Sequence, residues 1–297
     1  MDPLLTRLEE ETRRRRRRPL FRYRQVPVRL LVPNFFTLLG LCAGLTAIRM
    51  AIEGRYELAL AAIVFAALLD GVDGRVARML KASSRFGAEF DSLADFVNFG
   101  VAPAIVLFTW GAWGTPGMRG LAWIVVLLLA VACGLRLARF NAMLDEERPK
   151  WQSNYFTGVP APAGAIIALL PVYLDSLEAF DVRAGWPIYI VLIYTVLIAF
   201  LMVSTIPTYS GKLLGERISR EWVMPLFVLA GAIVALLVTY PFATLSIGSI
   251  LYLGLIPFAV RRYRSQMHAM EAADPSTFPA TPTLVAETPP QERAKRS

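Results

Sequence analysis

Between residues 68 and 96 the chain reads LLDGVDGRVARMLKASSRFGAEFDSLADF, with apolar runs on either side. Four carboxylates stand in this stretch, at the spacing Asp70-x2-Asp73-Gly74-x2-Ala77-Arg78-x8-Gly87-x3-Asp91-x3-Asp95. Helical residues three or four apart share a face. Asp70, Asp73, Gly74 and Ala77 therefore line a stripe of one helix, and Gly87, Asp91 and Asp95 a stripe of the next. Two such helices face to face put the carboxylates around one cavity, where like charges need neutralising. Hard oxygen donors select Mg²⁺, Mn²⁺ or Ca²⁺. A pair of divalent ions about 3.5–4 Å apart is the usual clamp for displacement at phosphorus. The small residues at 74, 77 and 87 leave room for a phosphate, and the Arg78 guanidinium offers a fork to hold it. A lone aspartate at a helix end is often only a cap or a snorkelling charge. Caps do not explain this set.

The elements that must position these groups are membrane helices. The chain has 297 residues, 56% hydrophobic and 18% charged, too apolar for an ordinary soluble domain. Stretches of about 18 or more nearly uncharged residues suffice to cross a bilayer core of ~30 Å. Eight are expected, near 33–51, 57–76, 93–113, 120–138, 158–175, 186–206, 222–240 and 242–260. The Tyr240-Pro241 break leaves open a single re-entrant unit for the last two. The predicted fold is all-α, a polytopic transmembrane helical bundle. The arginine-rich start runs into a full-length span, so no secretory signal peptide is expected.

Charge sets the expected orientation. Of 31 Lys and Arg, 27 fall on one side if eight spans alternate; Arg55, Arg119 and Arg183, with Arg49 near a span end, are the exceptions. Positive residues stay cytoplasmic, which places both termini and the acidic stretch on that side. Residues 1–32 read as a basic cytoplasmic arm, 33–262 as one membrane domain, and 263–297, rich in Pro and Thr, as a disordered tail. The run Arg13 to Arg18 lacks interleaved aromatics and reads as a topology determinant on anionic headgroups, not a nucleic-acid site. Cys42 and Cys133 read as small buried apolar residues. No phosphate-binding glycine loop is present.

The spacing DxxDGxxARx8GxxxDxxxD resembles the signature of the CDP-alcohol phosphotransferase family, and every fixed position matches. The resemblance implies transfer of a substituted phosphoryl group from a CDP-alcohol to a hydroxyl, with release of CMP. It implies that Asp70, Asp73, Asp91 and Asp95 hold two divalent cations, Mg²⁺ or Mn²⁺, and that Asp95 also acts as the base. Gly74, Ala77, Arg78 and Gly87 would line the CDP site, joined by Asn34, Thr37 and Ser84 as residues binding CDP-diacylglycerol. The flanking stretches PNFFTLLGLCAG (33–44), DSLADFVNFGVAPA (91–104), LRLARFN (135–141) and YFTGVPAPAGA (155–165) look like the bacterial, integral-membrane branch that forms phosphatidylserine. A homodimer is also implied.

The expected reaction is CDP-diacylglycerol plus L-serine giving phosphatidylserine and CMP. The sole histidine, His268, falls in the tail, so a carboxylate has to take the serine proton. Arg136 and Arg139 are candidate partners for the serine carboxylate, with Asn98 and Asn141 as polar helpers; the positive-inside rule alone also accounts for the two arginines. A sister transferase using glycerol phosphate, inositol phosphate or choline stays open. A divalent-cation transporter is the rival from another class, though transport sites usually sit at the bilayer midplane.

Overall fold

Each of the eight apolar stretches contains a helix in a computed structural model of the chain, which describes residues 28–80, 84–111, 113, 116–143, 155–178, 187–209 and 220–273. In order these are α1 (Val28–Ile52), α2 (Tyr56–Met79), α3 (Arg85–Asp95), a π-helical turn (Phe96–Val101), α4 (Ala102–Trp110), α5 (Pro116–Ala142), β1 (Tyr155–Thr157), α6 (Ala161–Ala168), α7 (Leu170–Ser176), α8 (Pro187–Val203), β2 (Pro207–Tyr209), α9 (Arg220–Thr239) and α10 (Pro241–Ala273). Among the described residues, five helical stretches are long and apolar enough to cross a membrane: Val32–Ile52, Arg85–Trp110, Gly117–Ala142, Trp222–Thr239 and Pro241–Met267. Ala161–Ser176 and Ile188–Val203 are apolar but shorter. Helix α2 is long enough but carries Glu57, Asp70, Asp73, Arg75 and Arg78, the charges that make it interesting. The chain is an integral membrane protein by this architecture.

The chain divides into two units, Met1–Trp110 and Gly111–Ser297. In the first, α1 is the scaffold: it packs against α2, α3, the π-helical turn and α4. Its buried positions are Pro33, Thr37, Gly40, Gly44, Ala47 and Ala51, spaced three or four apart. Lipid tails are as apolar as leucine, so helices in a bilayer associate through close packing, which small residues permit. At the far end of α1 the chain reverses through Gly54, at φ +74°, a conformation glycine adopts without a Cβ penalty. Arg49 pairs with Glu53 there, at 2.8 Å. The Tyr56 hydroxyl then donates to the Thr109 carbonyl, 2.7 Å, fastening α2 to α4.

The π-helical turn has a local cause. Pro103 lacks an N–H and its ring crowds the carbonyl four residues back, so the ladder widens ahead of it. The Ala102 N–H reaches Val97 instead, a five-residue bond. Such turns occur mostly as single interruptions of α-helices and are frequent at functional sites.

In the second unit, α5 packs on α8, and α10 packs on α7 and β2. Tyr173, Leu169, Ile198 and Met202 are among its most buried side chains. Helix α6 breaks from α7 at Leu169, two residues before Pro171, again where proline cannot continue the ladder. One short ribbon departs from the all-helical expectation: β1 pairs antiparallel with β2 in the register Tyr155↔Tyr209, Phe156↔Thr208, Thr157↔Pro207. Aromatic and β-branched residues suit that pairing, and Gly158, at φ +78°, turns the chain out of it.

Of the expected arm, residues 1–27 lie outside the described residues, as do 274–297 of the tail. The expected boundary at residue 262 falls inside α10, which continues to Ala273. The sequence there, RRYRSQMHAMEAA, is rich in good helix formers and free of glycine and proline.

Candidate active site

Helix α2 carries Asp70 and Asp73, and α3 carries Asp91 and Asp95. Helix α3 starts at a built cap: the Ser84 side chain accepts from the Gly87 N–H at 3.0 Å, which satisfies one of the orphan donors of its first turn. One turn separates Asp91 from Asp95, and Asp70 reaches them from α2. One carboxylate oxygen from each of Asp70, Asp91 and Asp95 lies within 4.8 Å of the other two, all three groups half-buried. That spacing lets one divalent ion touch all three, and a set made only of hard carboxylate oxygens fits Mg²⁺ or Mn²⁺. The residues present fit the group that the spacing implied.

Asp73 stands apart from that trio. It is 5% exposed, and Thr37 of α1 donates to its Oδ2 at 3.1 Å. Asp91 and Asp70 remain near enough to act on it electrostatically. Spacing alone put all four acids on one footing. The difference arises because α1 packs on the flank of α2 that carries Asp73, and its threonine takes one carboxylate oxygen.

The residues expected to line the nucleotide side behave unequally. A Cβ on Gly74 would meet nothing within 4 Å, so space beside it is open. Arg78, one turn on, is exposed and donates from Nε to the Gly74 carbonyl at 3.0 Å. Ala77 lies on the same helix between them. Gly87 is small for a different reason: a Cβ there would fall 2.9 Å from Asn34 Oδ1 and 3.1 Å from Ser84 Oγ. The polar ends of Asn34 and Ser84 thus occupy the room that the glycine vacates.

The four residues expected at the acceptor site also separate. Asn98 is 2% exposed and lies in the π-helical turn against Gly40 and Gly44 of α1. Arg139 is engaged with main chain: its guanidinium donates to the carbonyls of Thr157 and Ser204, each at 3.1 Å, and to that of Val203. These carbonyls end α8 and β1, so the side chain caps a helix C-terminus, where cations are favoured. Arg136 stacks over the Phe140 ring, 5.7 Å from guanidinium carbon to centroid. Asn141 is half-buried near the end of α5. Sequence reasoning missed the scaffold role of α1, although the recurrence Thr37, Gly40, Gly44, Ala47, Ala51 was its signal.

Known proteins resemble the chain over most of its length. The profile described as CDP-alcohol phosphatidyltransferase matches residues 30–201, and that described as CDP-alcohol phosphatidyltransferase 2 matches residues 221–257. The chain is 40% identical over 239 residues to a CDP-diacylglycerol–serine O-phosphatidyltransferase of Mycobacterium leprae, covering 79% of this chain and 76% of that one. It is 41% identical to a protein of the same name from Mycobacterium tuberculosis, over 79% of each chain. A Helicobacter pylori protein, also so named, is 35% identical over 75% of this chain and 88% of its own. With its signature spacing placed on two helices whose acids converge, the chain belongs to the CDP-alcohol phosphatidyltransferase family.

Proposed function

We propose that the protein transfers the phosphatidyl group of CDP-diacylglycerol to the hydroxyl of L-serine, forming phosphatidylserine and CMP. The observation that carries the reading is the convergence of Asp70, Asp91 and Asp95, in a chain whose relatives bear the name of that reaction over most of their length. Asp70, Asp91 and Asp95 would hold divalent ions, with Asp73 completing the charge around them. When bound, those ions supply charge neutralisation at the diphosphate and at the departing CMP.

The chain's own groups do the rest. Asp95 accepts the proton of the serine hydroxyl as its oxygen bonds to phosphorus, and the bond to the CMP oxygen breaks with its electron pair. Arg78, one turn on from Gly74 and the open space beside it, holds a phosphate oxygen pair, and Asn34, Thr37 and Ser84 line the approach. For the amino acid, Arg136 is the cation we assign to the carboxylate, with Asn141 as a polar helper. The enzyme works in the bacterial inner membrane with its acids and both termini on the cytoplasmic side, and as a homodimer.

The test is acceptor competition. Purified protein with labelled CDP-diacylglycerol and Mg²⁺ or Mn²⁺ should release CMP with L-serine and not with glycerol phosphate, inositol phosphate or choline. Excess chelator should abolish the release, and either ion should restore it. CMP release driven by one of the other acceptors would move the assignment to a sister reaction. Ion flux in proteoliposomes without nucleotide would move it to transport.

A further inference from the structure

The π-helical turn begins at the residue after Asp95, and Asn98 lies within it. A Cβ built on Gly44 of α1 would fall 2.9 Å from the Asn98 Cγ and 3.2 Å from its Cα. At Gly40 it would come 3.5 Å from Nδ2. The amide therefore lies close against the bare backbone of α1, in a notch that any side chain at position 44 would fill. Its Oδ1 is buried with no hydrogen-bond partner. Leaving an acceptor unsatisfied in an apolar setting is costly.

Helix α1 thus grips both acid-bearing segments. Thr37 holds Asp73 of α2, and seven residues on, ~10 Å along the helix, Gly44 seats Asn98 just past the end of α3. We infer that Asn98 is a positioning residue: seated on Gly40 and Gly44, it holds the π-helical turn and so fixes where Asp95 stands against Asp70 and Asp91. This rests on the reading of those acids as a metal site. It assigns Asn98 to the geometry of that site, not to the serine pocket. Packed interfaces of this kind have discrete arrangements and do not deform smoothly. A loosened seat lets Asp95 leave the trio.

The experiment is Mn²⁺ binding to the purified full chain, followed by electron paramagnetic resonance without substrate, beside thermal unfolding and steady-state kinetics. Asn98→Ala should raise the Mn²⁺ concentration for half-saturation about tenfold and leave the serine KM, measured at saturating metal, within twofold. Gly44→Ala should shift Mn²⁺ binding in the same direction. If that variant does not fold, Asn98→Leu asks the same question with the branch point and the number of heavy atoms kept. Tyr56→Phe removes a fastening bond in the same unit and should lower the unfolding temperature without moving the Mn²⁺ midpoint, separating positioning from general loosening. Unchanged Mn²⁺ binding in Asn98→Ala overturns the inference, as does a selective rise in serine KM. A wild-type protein that binds no Mn²⁺ overturns the metal reading beneath it.

Discussion

Asp73 and Asp95 bring the same functional group into different surroundings, and their substitutions should separate accordingly. Asp95 shares the trio with Asp70 and Asp91, whereas Asp73 is buried and bonded to Thr37. Asp95→Asn keeps the size and one acceptor oxygen but cannot take a proton. It should lose turnover by at least about a hundredfold, the low end for a general base, while CDP-diacylglycerol still binds. Asp70→Asn should instead raise the metal concentration needed for activity, with turnover partly recovered in excess Mn²⁺. Single-turnover CMP release and equilibrium binding of CDP-diacylglycerol distinguish the two. Near wild-type turnover in Asp95→Asn would mean that another group is the base. The membership of this set was legible in the sequence because offsets of three and four are fixed by helix geometry. The singling out of Asp73 was not, since it depends on which flank of α2 meets α1. Gly87 shows the same limit: its smallness could be read, but the neighbours that demand it are Asn34 on α1 and Ser84 at the cap of α3.

At the level of elements, hydropathy located the helices well because every stretch able to span a bilayer must be helical to satisfy its backbone. What it did not show were the places where a helix is interrupted. The π-helical turn and the break at Leu169 each sit beside a proline, Pro103 and Pro171, and reading those prolines as ladder breaks would have found both. The β1–β2 ribbon was hidden for another reason, since its strands have three residues each and their pairing joins segments about fifty residues apart. Arg139 depends on that ribbon. Its guanidinium reaches the Thr157 carbonyl of β1 and the Val203 and Ser204 carbonyls after α8, so it ties a strand to a helix end. Hydrogen bonds involving a charged group contribute about 1.5–3 kcal/mol. Arg139→Ala should therefore lower the unfolding temperature by several degrees, with KM for serine and for CDP-diacylglycerol changing alike. Arg139→Lys should recover only part of the stability, since a point charge cannot span three carbonyls as a planar fork does. A rise in serine KM alone, with unfolding unchanged, would return Arg139 to the acceptor pocket.

For the whole molecule, the decisive question is which side of the membrane the acids face, and the first unit frames it. Asn34 and Thr37, near one end of α1, stand beside Gly87 and Asp73. The Glu53–Arg55 reversal lies at its other end. Seventeen residues from Thr37 to Gly54 rise ~25 Å, most of a bilayer core of ~30 Å. With α1 crossing the bilayer, the acidic cluster and Arg55 are expected at opposite membrane surfaces. If the eight apolar stretches alternate across the bilayer, 27 of the 31 Lys and Arg share the side of the acids, and the positive-inside rule predicts that side to be cytoplasmic. In a chain whose Cys42 and Cys133 are replaced by serine, Arg55→Cys and Glu89→Cys place one thiol at each end; both native residues are exposed. A membrane-impermeant maleimide added to intact cells should label position 55 and leave position 89 untouched until the membrane is opened. The same reagent on inverted vesicles should give the opposite pattern. Labelling of position 89 from outside would turn the protein over and put the acids where no cytoplasmic nucleotide substrate reaches them. The proposed reaction would then lose its supply of CDP-diacylglycerol headgroups, however well the aspartates are arranged.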